Sequence, residues 1–323
     1  MIKTKKSSVN WIKLYFSGAI IYSIGILLFR YAPYYQKTLA SSAQSTLLCL
    51  YFGYLILAPF YYFFFAKKSS KSKPFLALRG ICRLAARFFN KKTSGKISKE
   101  EKVALLFILV KLFFLPTMIN FFYGNINELS SIIKNFGWYP FALTLIFAVD
   151  TLVFAFGYAF EFKFLKNIVK SVEPTLFGWL VAVICYPPFN SYVGRFVPWG
   201  ANDYASFWNP GWTIIMRIIL VALLMIYVWA TIALGFKSSN LTNRGIVSKF
   251  PYSIIRHPAY ASKNLLWWLT LLPVINIKFA LGMGFWTLIY YFRAITEENH
   301  LNQDKDYIAY RRKVKYRFVP YLL

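Results

Sequence analysis

The sequence predicts an all-α, polytopic transmembrane protein with about eight spans, and three observations support this prediction. Hydrophobic residues make up 58% of the 323 residues and charged residues only 15%, against roughly 25% charged residues in a soluble domain. The apolar residues form continuous runs close to the ~20 residues that cross a bilayer, where a β-barrel would show alternation. Lysine and arginine crowd between those runs, as they do in the cytoplasmic loops of helical membrane proteins.

The eight predicted spans are the apolar runs of the chain. In order, they cover residues 11–30, 45–66, 103–123, 139–160, 172–189, 211–236, 263–275 and 279–296. The first run follows MIKTKK and has no small-residue cleavage site behind it, so we expect a retained helix and not a signal peptide. The seventh run is short, and Pro273 with Asn276 indicates a tight hairpin into the eighth.

The most basic stretch of the chain follows the second span. The formal charge of +27 comes from 38 basic and 11 acidic residues, and much of the excess lies within residues 66–102. We interpret it as a topology signal that favours anionic lipid headgroups as partners, and not as a nucleic-acid surface. Within it, FLALRGICRLAARFF mixes arginine with apolar residues at near-helical spacing, which predicts an amphipathic helix at the membrane surface.

The same charge pattern orients the chain. The positive-inside rule places both termini in the cytoplasm, together with the 67–102, 163–170 and 237–262 loops. The loops on the opposite side are poorer in lysine and arginine, in agreement with eight crossings. They lie near residues 31–44, 124–138 and 190–210. The many Lys, Asn, Ile and Phe residues favour a bacterial inner membrane.

Two features of the spans bear on chemistry. The three cysteines, Cys49, Cys82 and Cys185, have no paired spacing, so the sequence indicates neither a metal site nor a disulfide framework. Asp150 lies within an apolar span, where a charge is costly. Either a functional role or a hydrogen bond to a neighbouring tyrosine accounts for it, and the sequence leaves both open.

Polar chemistry collects beyond residue 256. Both histidines of the chain lie there with four of its eleven acidic residues, namely His257, His300, Glu297, Glu298, Asp304 and Asp306. Because a helical hairpin joins the 237–262 loop to the tail, we expect Arg256 and His257 to share a membrane face with Glu297 and Glu298. The i, i+4 spacing of Arg293 and Glu297 allows an ion pair.

A purely structural interpretation of these residues is also open. Arg293 is compatible with the positive-inside rule, and the two glutamates with a solvated helix end. Pro258 suits the first turn of the seventh helix.

The combined pattern resembles a known family. R-H-P-x-Y in a loop, a helical hairpin, then R-x-x-x-E-E-x-x-L and Y-x-x-Y resembles the isoprenylcysteine carboxyl methyltransferase and phospholipid methyltransferase family of integral membrane enzymes. The matching residues are Arg256, His257, Pro258, Tyr260, Arg293, Glu297, Glu298, Leu301, Tyr307 and Tyr310, with Pro320 after them. The resemblance covers roughly residues 235–323, and the first six spans carry none of it.

The resemblance implies S-adenosylmethionine as cofactor and a lipid-like or prenylated substrate that enters from the bilayer. It implies that Arg293 and Glu298 act near the methyl acceptor. The residues that would form the cofactor pocket are Arg256, His257, Pro258, Tyr260, Glu297, Leu301, Tyr307 and Tyr310. The chain departs from the family pattern at two positions. Ser262 stands where the family often has glycine, and Phe250 stands where a G-P-Y turn would begin. Both departures affect the predicted loop path, because glycine permits backbone conformations that larger residues do not.

These expectations agree with the chemistry of the residues. Glu298 and the tyrosines can surround a sulfonium by charge and cation–π contact, and Arg293 can orient a carboxylate or phosphate by a bidentate grip. An amine acceptor needs a base, for which Glu298 or His257 is available. We therefore predict a six-span region, 1–236, that forms a substrate chamber, and a methyltransferase-like region, 237–323.

Two other functions remain open at this stage. Membrane sterol reductases, which use NADPH, share R-H-P-x-Y and a tail resembling VKYRFVPYLL (314–323), although this chain has EENHL where they have an R-D-E type element. A lipid transporter would use Asp150 and the aromatic spans, but no internal repeat is evident. For the methyltransferase, we expect that Arg293→Lys does not preserve function and that Glu298→Gln lowers turnover by about a hundredfold. Both variants should still fold, because both side chains are predicted in a wet site.

Overall fold

The computed structural model describes residues 11–65, 72–89 and 96–321, and within them the chain is almost entirely helical. The helices are α1 (Trp11–Tyr31), α2 (Pro33–Thr38), α3 (Ser41–Phe65), α4 (Lys73–Phe89), α5 (Lys99–Lys134), α6 (Trp138–Ala159), α7 (Leu176–Val183), α8 (Phe189–Phe196), α9 (Pro210–Leu234), α10 (Pro258–Leu271), α11 (Ile277–Leu301) and α12 (Lys305–Lys313). Two short 3-10 turns, Gly235–Lys237 and Leu272–Val274, extend α9 and α10. The strands β1 (Ser171–Val172) and β2 (Thr242–Asn243) pair antiparallel.

The predicted all-α membrane fold is confirmed. Within the described ranges, five helices are long and apolar enough to cross a bilayer. They are Trp11–Tyr31, Ser41–Phe65, Lys99–Lys134, Trp138–Ala159 and the stretch Pro210–Lys237. Each contains at least 20 residues, the length that crosses the hydrocarbon core.

The chain divides into two compact units, one up to Tyr123 and one from Gly124 onward. In the first unit, α1 packs on α3 and on α4. Helix α4 buries Leu76 and Ala77 against Ala104 of α5. Arg79 and Arg83 of α4 both form ion pairs with Glu101, which is fully buried. The amphipathic helix predicted within 67–102 is therefore present over Lys73–Phe89, whereas 66–71 and 90–95 lie outside the described residues.

The second unit has its core among α6, α9 and α10. Leu143 and Ile146 of α6, Leu220 and Leu224 of α9, and Leu266 of α10 belong to one buried cluster. Because α9 and α10 pack directly on each other, the division at 123/124 differs from the domain boundary predicted at 236/237. The predicted C-terminal region shares its core with two of the predicted six spans.

The structure differs from the prediction at the fifth span. Residues 172–189 do not form one helix, since α7 ends at Val183 after eight residues and α8 begins only at Phe189. A helix of that length measures roughly 12 Å, less than half of the hydrocarbon core. Pro187 and Pro188 explain the break, because proline lacks the N–H that a continuing helix needs and its ring clashes with the preceding turn.

The predicted hairpin is present where Pro273 and Asn276 indicate it. Helix α10 ends at Leu271, a 3-10 turn covers Leu272–Val274, and the side chain of Asn276 caps α11 by accepting a hydrogen bond from the Phe279 N–H at 3.0 Å. At the other end of α10, Pro258 occupies the first turn with His257 as N-cap residue. The first-turn role considered for Pro258 is therefore correct.

Gly282 allows α11 to contact the chain after α8. A Cβ atom on Gly282 would fall far inside van der Waals contact with the backbone oxygen of Pro198, whereas one on Gly284 would meet nothing within 4 Å. We expect Gly282→Ala to lower the thermal unfolding midpoint in detergent, since overpacking costs about 1–3 kcal/mol. Gly284→Ala is the matched control and should leave the midpoint unchanged or slightly raised. Equal midpoints for the two variants would contradict this account of the packing.

Candidate functional site

The carboxylate of Glu298 connects α11 to the loop before α10 and to the tail. Its Oε1 accepts hydrogen bonds from Arg256 Nε at 2.8 Å and Arg317 Nε at 3.1 Å, and lies 3.1 Å from His257 Nε2. Its Oε2 accepts from Arg317 Nη2 at 2.9 Å. Only 2% of the Glu298 side chain is exposed. This carboxylate is therefore fully used by the protein itself.

Arg256 also holds the tail by its backbone and its guanidinium. The N–H groups of Arg256 and His257 donate to the carbonyl oxygens of Tyr316 and Arg317 at 2.9 and 3.0 Å. The guanidinium of Arg256 donates to the carbonyl oxygens of Val314 and Lys315. The predicted meeting of Arg256, His257 and Glu298 at one end of the helical hairpin is thus observed, with the tail as a third component.

The two tail tyrosines belong to this framework. Tyr307 and Tyr310 pack with Val314 in a buried cluster that includes Leu301 and Tyr252 at its edge. The Tyr310 hydroxyl donates to the carbonyl oxygen of Tyr252 at 2.7 Å. Burial raises the pKa of Tyr307 and of Tyr310, so both phenols are neutral near pH 7.

A short strand pair brings a third segment to the same end of the second unit. The N–H of Lys170 donates to the carbonyl oxygen of Asn243, next to the β1–β2 pair. The Lys170 ammonium contacts Asp304 at 2.8 Å. Burial alone would raise the pKa of Asp304, but hydrogen bonds from Lys170 and Asn243 outweigh it and hold that pKa below its ordinary value. The 163–170 segment, the 237–262 loop and the tail therefore meet.

An open cleft lies between the 239–242 part of the loop, the start of α10, the end of α11, and Glu173 with α7. Four residues of the predicted site line it, namely Tyr260, Arg293, Glu297 and Leu301. The other lining residues are Glu173, Gly178, Ala182, Ser239, Asn240, Leu241, Thr242, Thr296 and His300. The rest of the predicted site, Arg256, His257, Pro258, Glu298, Tyr307 and Tyr310, does not line this cleft.

Arg293 is buried at the cleft with few partners. Only 6% of the residue is exposed, and its guanidinium lies 5.0 Å from the ring of Tyr260 and 5.1 Å from the ring of Tyr290. Its one hydrogen bond to the described chain goes to Asn240 Oδ1 at 3.1 Å. No ion pair joins Arg293 to Glu297 within the described ranges, although their spacing allows one. A guanidinium has five N–H donors, so most of its donor capacity is open to a ligand.

Asn240 fixes the position of this guanidinium. Its Nδ2 donates to the hydroxyl of Tyr186 at 3.1 Å, and its backbone N–H donates to the hydroxyl of Tyr158 at 2.6 Å. The sequence did not indicate Asn240 as a site residue. It lies in the predicted cytoplasmic loop, and only the folded chain brings it to Arg293 of α11.

The two carboxylates on the cleft wall have open oxygens. Glu297 Oε2 accepts from the Tyr260 hydroxyl at 3.0 Å, and its side chain is 46% exposed. Glu173 Oε1 accepts from the N–H and the hydroxyl of Thr175. Glu173 Oε2 lies 4.0 Å from Nδ1 of His300.

His300, like Glu173, is a titratable cleft residue that the predicted site lacked. Its Nε2 lies 2.8 Å from the hydroxyl of Ser171, and Nδ1 forms no hydrogen bond within the described chain. Glu173 therefore faces Nδ1 while Ser171 fixes the ring at its other nitrogen. The signal that could have found it is the concentration of both histidines beyond residue 256.

Asp150 is held by hydroxyl groups. Its Oδ2 accepts from the Tyr227 hydroxyl at 2.7 Å and its Oδ1 from the Thr231 hydroxyl at 2.6 Å. The tyrosine hydrogen bond that the sequence left open is therefore present, with a threonine added. Both oxygens have protein donors, so Asp150 is satisfied without a ligand.

The burial of Arg293 and Glu298 corrects one expectation. Only 6% of Arg293 and 2% of Glu298 is exposed, whereas a wet site was predicted for both residues. The loops and the tail that were predicted to form the pocket pack over the end of α11. This packing removes the side chains of Arg293 and Glu298 from water. Losing a partner of a buried charge costs far more than losing a surface ion pair.

Comparison with protein-family models gives no match, and comparison with curated proteins gives none. The functional assignment accordingly rests on the residues and their geometry.

Proposed function

We propose that this chain is an integral membrane methyltransferase that transfers a methyl group from S-adenosylmethionine to a lipid-like or prenylated membrane substrate. The observation that carries the proposal is the cleft lined by Arg293, Tyr260 and Glu297 at the end of the α10–α11 hairpin. These three residues belong to the motif pattern, and they lie together only because α10 and α11 form that hairpin.

The cleft has the charges that this cofactor needs. S-adenosylmethionine carries a sulfonium, an ammonium and a carboxylate. The open oxygens of Glu173 and Glu297 and the ring of Tyr260 suit the positive groups. The open N–H groups of Arg293 suit a carboxylate, whether it belongs to the cofactor or to the substrate. When bound, the cofactor supplies the electrophilic methyl group.

The protein residues divide into positioning and reacting roles. Glu298 with Arg256 and Arg317 positions the tail beside the cleft, and Tyr307 and Tyr310 anchor it. Arg293 orients an anionic group of the bound molecules, and such orientation provides much of the rate of a two-substrate reaction.

A proton acceptor is needed if the methyl acceptor carries an N–H or O–H group. Nδ1 of His300, with Glu173 beside it, is the base we assign to this step. Glu298 and His257, the bases considered from the sequence, bind each other and do not line the cleft.

The proposed topology keeps the eight crossings, with residues 172–199 crossing as the interrupted pair α7 and α8. Both termini and the cleft face the cytoplasm in a bacterial inner membrane, on the strength of the basic loops 163–170 and 237–262. Labelling a single cysteine placed at Arg312 in intact cells tests the orientation, and labelling from outside would refute it.

Calorimetric titration of the purified chain tests the proposed function. We expect S-adenosylmethionine to release heat with saturation at one site, and NADPH to release none. Saturable heat from NADPH alone would favour a reductase. No heat from either ligand, with the protein shown to be folded by gel filtration, would favour a protein without either cofactor.

A further inference from the structure

Lys263 of α10 lies inside the helical bundle of the second unit, outside the proposed cofactor cleft. It lies five positions after Pro258, which corresponds to roughly 7.5 Å along the helix axis. Its ammonium is surrounded by aromatic rings, 5.1 Å from the centroid of Tyr227, 5.4 Å from Trp267 and 5.8 Å from Phe147. The residue as a whole is half-buried.

The protein leaves the donors of this ammonium open. A lysine ammonium has three N–H donors, and among the described residues no acceptor forms a hydrogen bond with Lys263 and no carboxylate lies within 4 Å. Asp150, the first of the acidic groups that attract it, has its oxygens held by Tyr227 and Thr231. Cation–π contacts attract the charge but satisfy no N–H donor.

A second cation, Arg293, contacts an aromatic ring next to those around Lys263. The rings of Trp267 and Tyr290 are 5.2 Å apart. Lys263 contacts Trp267, and Arg293 contacts Tyr290. Arg293 also repels Lys263 electrostatically. The two cations repel each other, have open donors and lie beside apolar side chains. A molecule with an anionic group attached to an apolar part would therefore stabilise this site.

We propose that Lys263 binds the phosphate of a membrane lipid, with Phe147, Tyr227 and Trp267 packing against the adjoining apolar part. A lipid phosphate fits better than free phosphate for two reasons. The ammonium contacts Phe147 of α6 and Tyr227 of α9, two helices that are long and apolar enough to cross a bilayer, and its immediate walls are aromatic. The site does not require methyl transfer, so it can be tested in the absence of any cofactor.

The test is the thermal unfolding midpoint of the full chain in a non-ionic detergent, titrated with dioctanoyl phosphatidic acid. Dioctanoylglycerol, which lacks the phosphate, and inorganic phosphate are the comparison ligands. We expect only the lipid phosphate to raise the midpoint. Equal stabilisation by dioctanoylglycerol would overturn the phosphate contact, and stabilisation by inorganic phosphate would overturn the lipid part.

One variant and its matched control identify the residue. We expect Lys263→Met to raise the half-stabilising concentration of the lipid by about tenfold or more, the loss of one charge-assisted hydrogen bond. Lys278→Met is the matched control, because Lys278 is an exposed lysine at the start of α11, and it should not change that concentration. An unchanged concentration for Lys263→Met would refute the proposal.

Asp150→Asn decides the matter if Lys263→Met does not fold. If Lys263 binds the lipid, removing the nearby negative charge should lower the half-stabilising concentration. If Lys263 only balances Asp150, the concentration should stay the same or rise, and the proposal would fail. A failure of S-adenosylmethionine binding would refute the proposed function while leaving this result standing.

Discussion

Replacing Arg293 by lysine is expected to lower methyl transfer per folded molecule by at least about a hundredfold. Lysine keeps the positive charge but loses the planar fork that grips a carboxylate or phosphate at two points. It also loses the cation–π contacts of the guanidinium with Tyr260 and Tyr290 at the cleft. A displacement of a bound group by about 1 Å is sufficient for an effect of this size.

The measurement is transfer of a labelled methyl group in membrane vesicles, normalised to folded protein from detergent gel filtration. Arg312→Lys is the matched control, since Arg312 is exposed in α12 and does not line the cleft. Near-wild-type transfer by Arg293→Lys would remove Arg293 from the mechanism. Loss of transfer in proportion to loss of folded protein would assign it a structural role.

Replacing Glu298 by glutamine is expected to reduce the folded protein and not only its turnover. The change leaves Arg256 and Arg317 without their counter-charge in a buried place, and breaking a buried ion pair costs about 3–5 kcal/mol. Because Glu298 joins the loop before α10 to the tail, we expect protease cleavage to begin in the tail. The folded fraction and the thermal midpoint measure the effect.

The adjacent residue provides the control. Glu297→Gln makes the same chemical change one position earlier, at a side chain that is 46% exposed and lines the cleft. It should leave the free energy of unfolding within about 0.5 kcal/mol of wild type, as surface substitutions do, while weakening cofactor binding. If Glu298→Gln keeps the wild-type midpoint and loses only turnover, Glu298 reacts directly, as the sequence suggested.

The two variants together separate the roles that the motif pattern joins. The pattern assigns Arg293 and Glu298 to one reaction step. In the fold, Arg293 keeps open donors at the cleft, whereas two arginines and a histidine surround the carboxylate of Glu298. These experiments therefore test two assignments: Glu298 has a positioning role, and Arg293 contacts the substrate.

Much of the fold followed from local properties of the sequence. Length and composition of the apolar runs identified the long helices, because a span needs a continuous run of apolar residues. Pro258 suited a helix start, and Pro273 with Asn276 marked the hairpin, since the effects of these residues act within one helical turn. The amphipathic stretch that became α4 was evident for the same reason.

The break between α7 and α8 was missed although its cause is local. Pro187 and Pro188 lie near the end of an apolar run, and hydropathy counts proline without regard to its missing N–H. The run therefore matched a span in length but not in backbone hydrogen bonding.

The sequence by itself determined which helices are apolar, where several of them start, and that the polar chemistry gathers in the last quarter of the chain. Only the tertiary structure decided which of those polar residues face the cleft. Asn240, Glu173 and His300 come from segments far apart in the chain, so no local pattern could place them together. Burial of Glu298 likewise depends on the tail and the loop before α10, which close over it from 19 and 42 positions away.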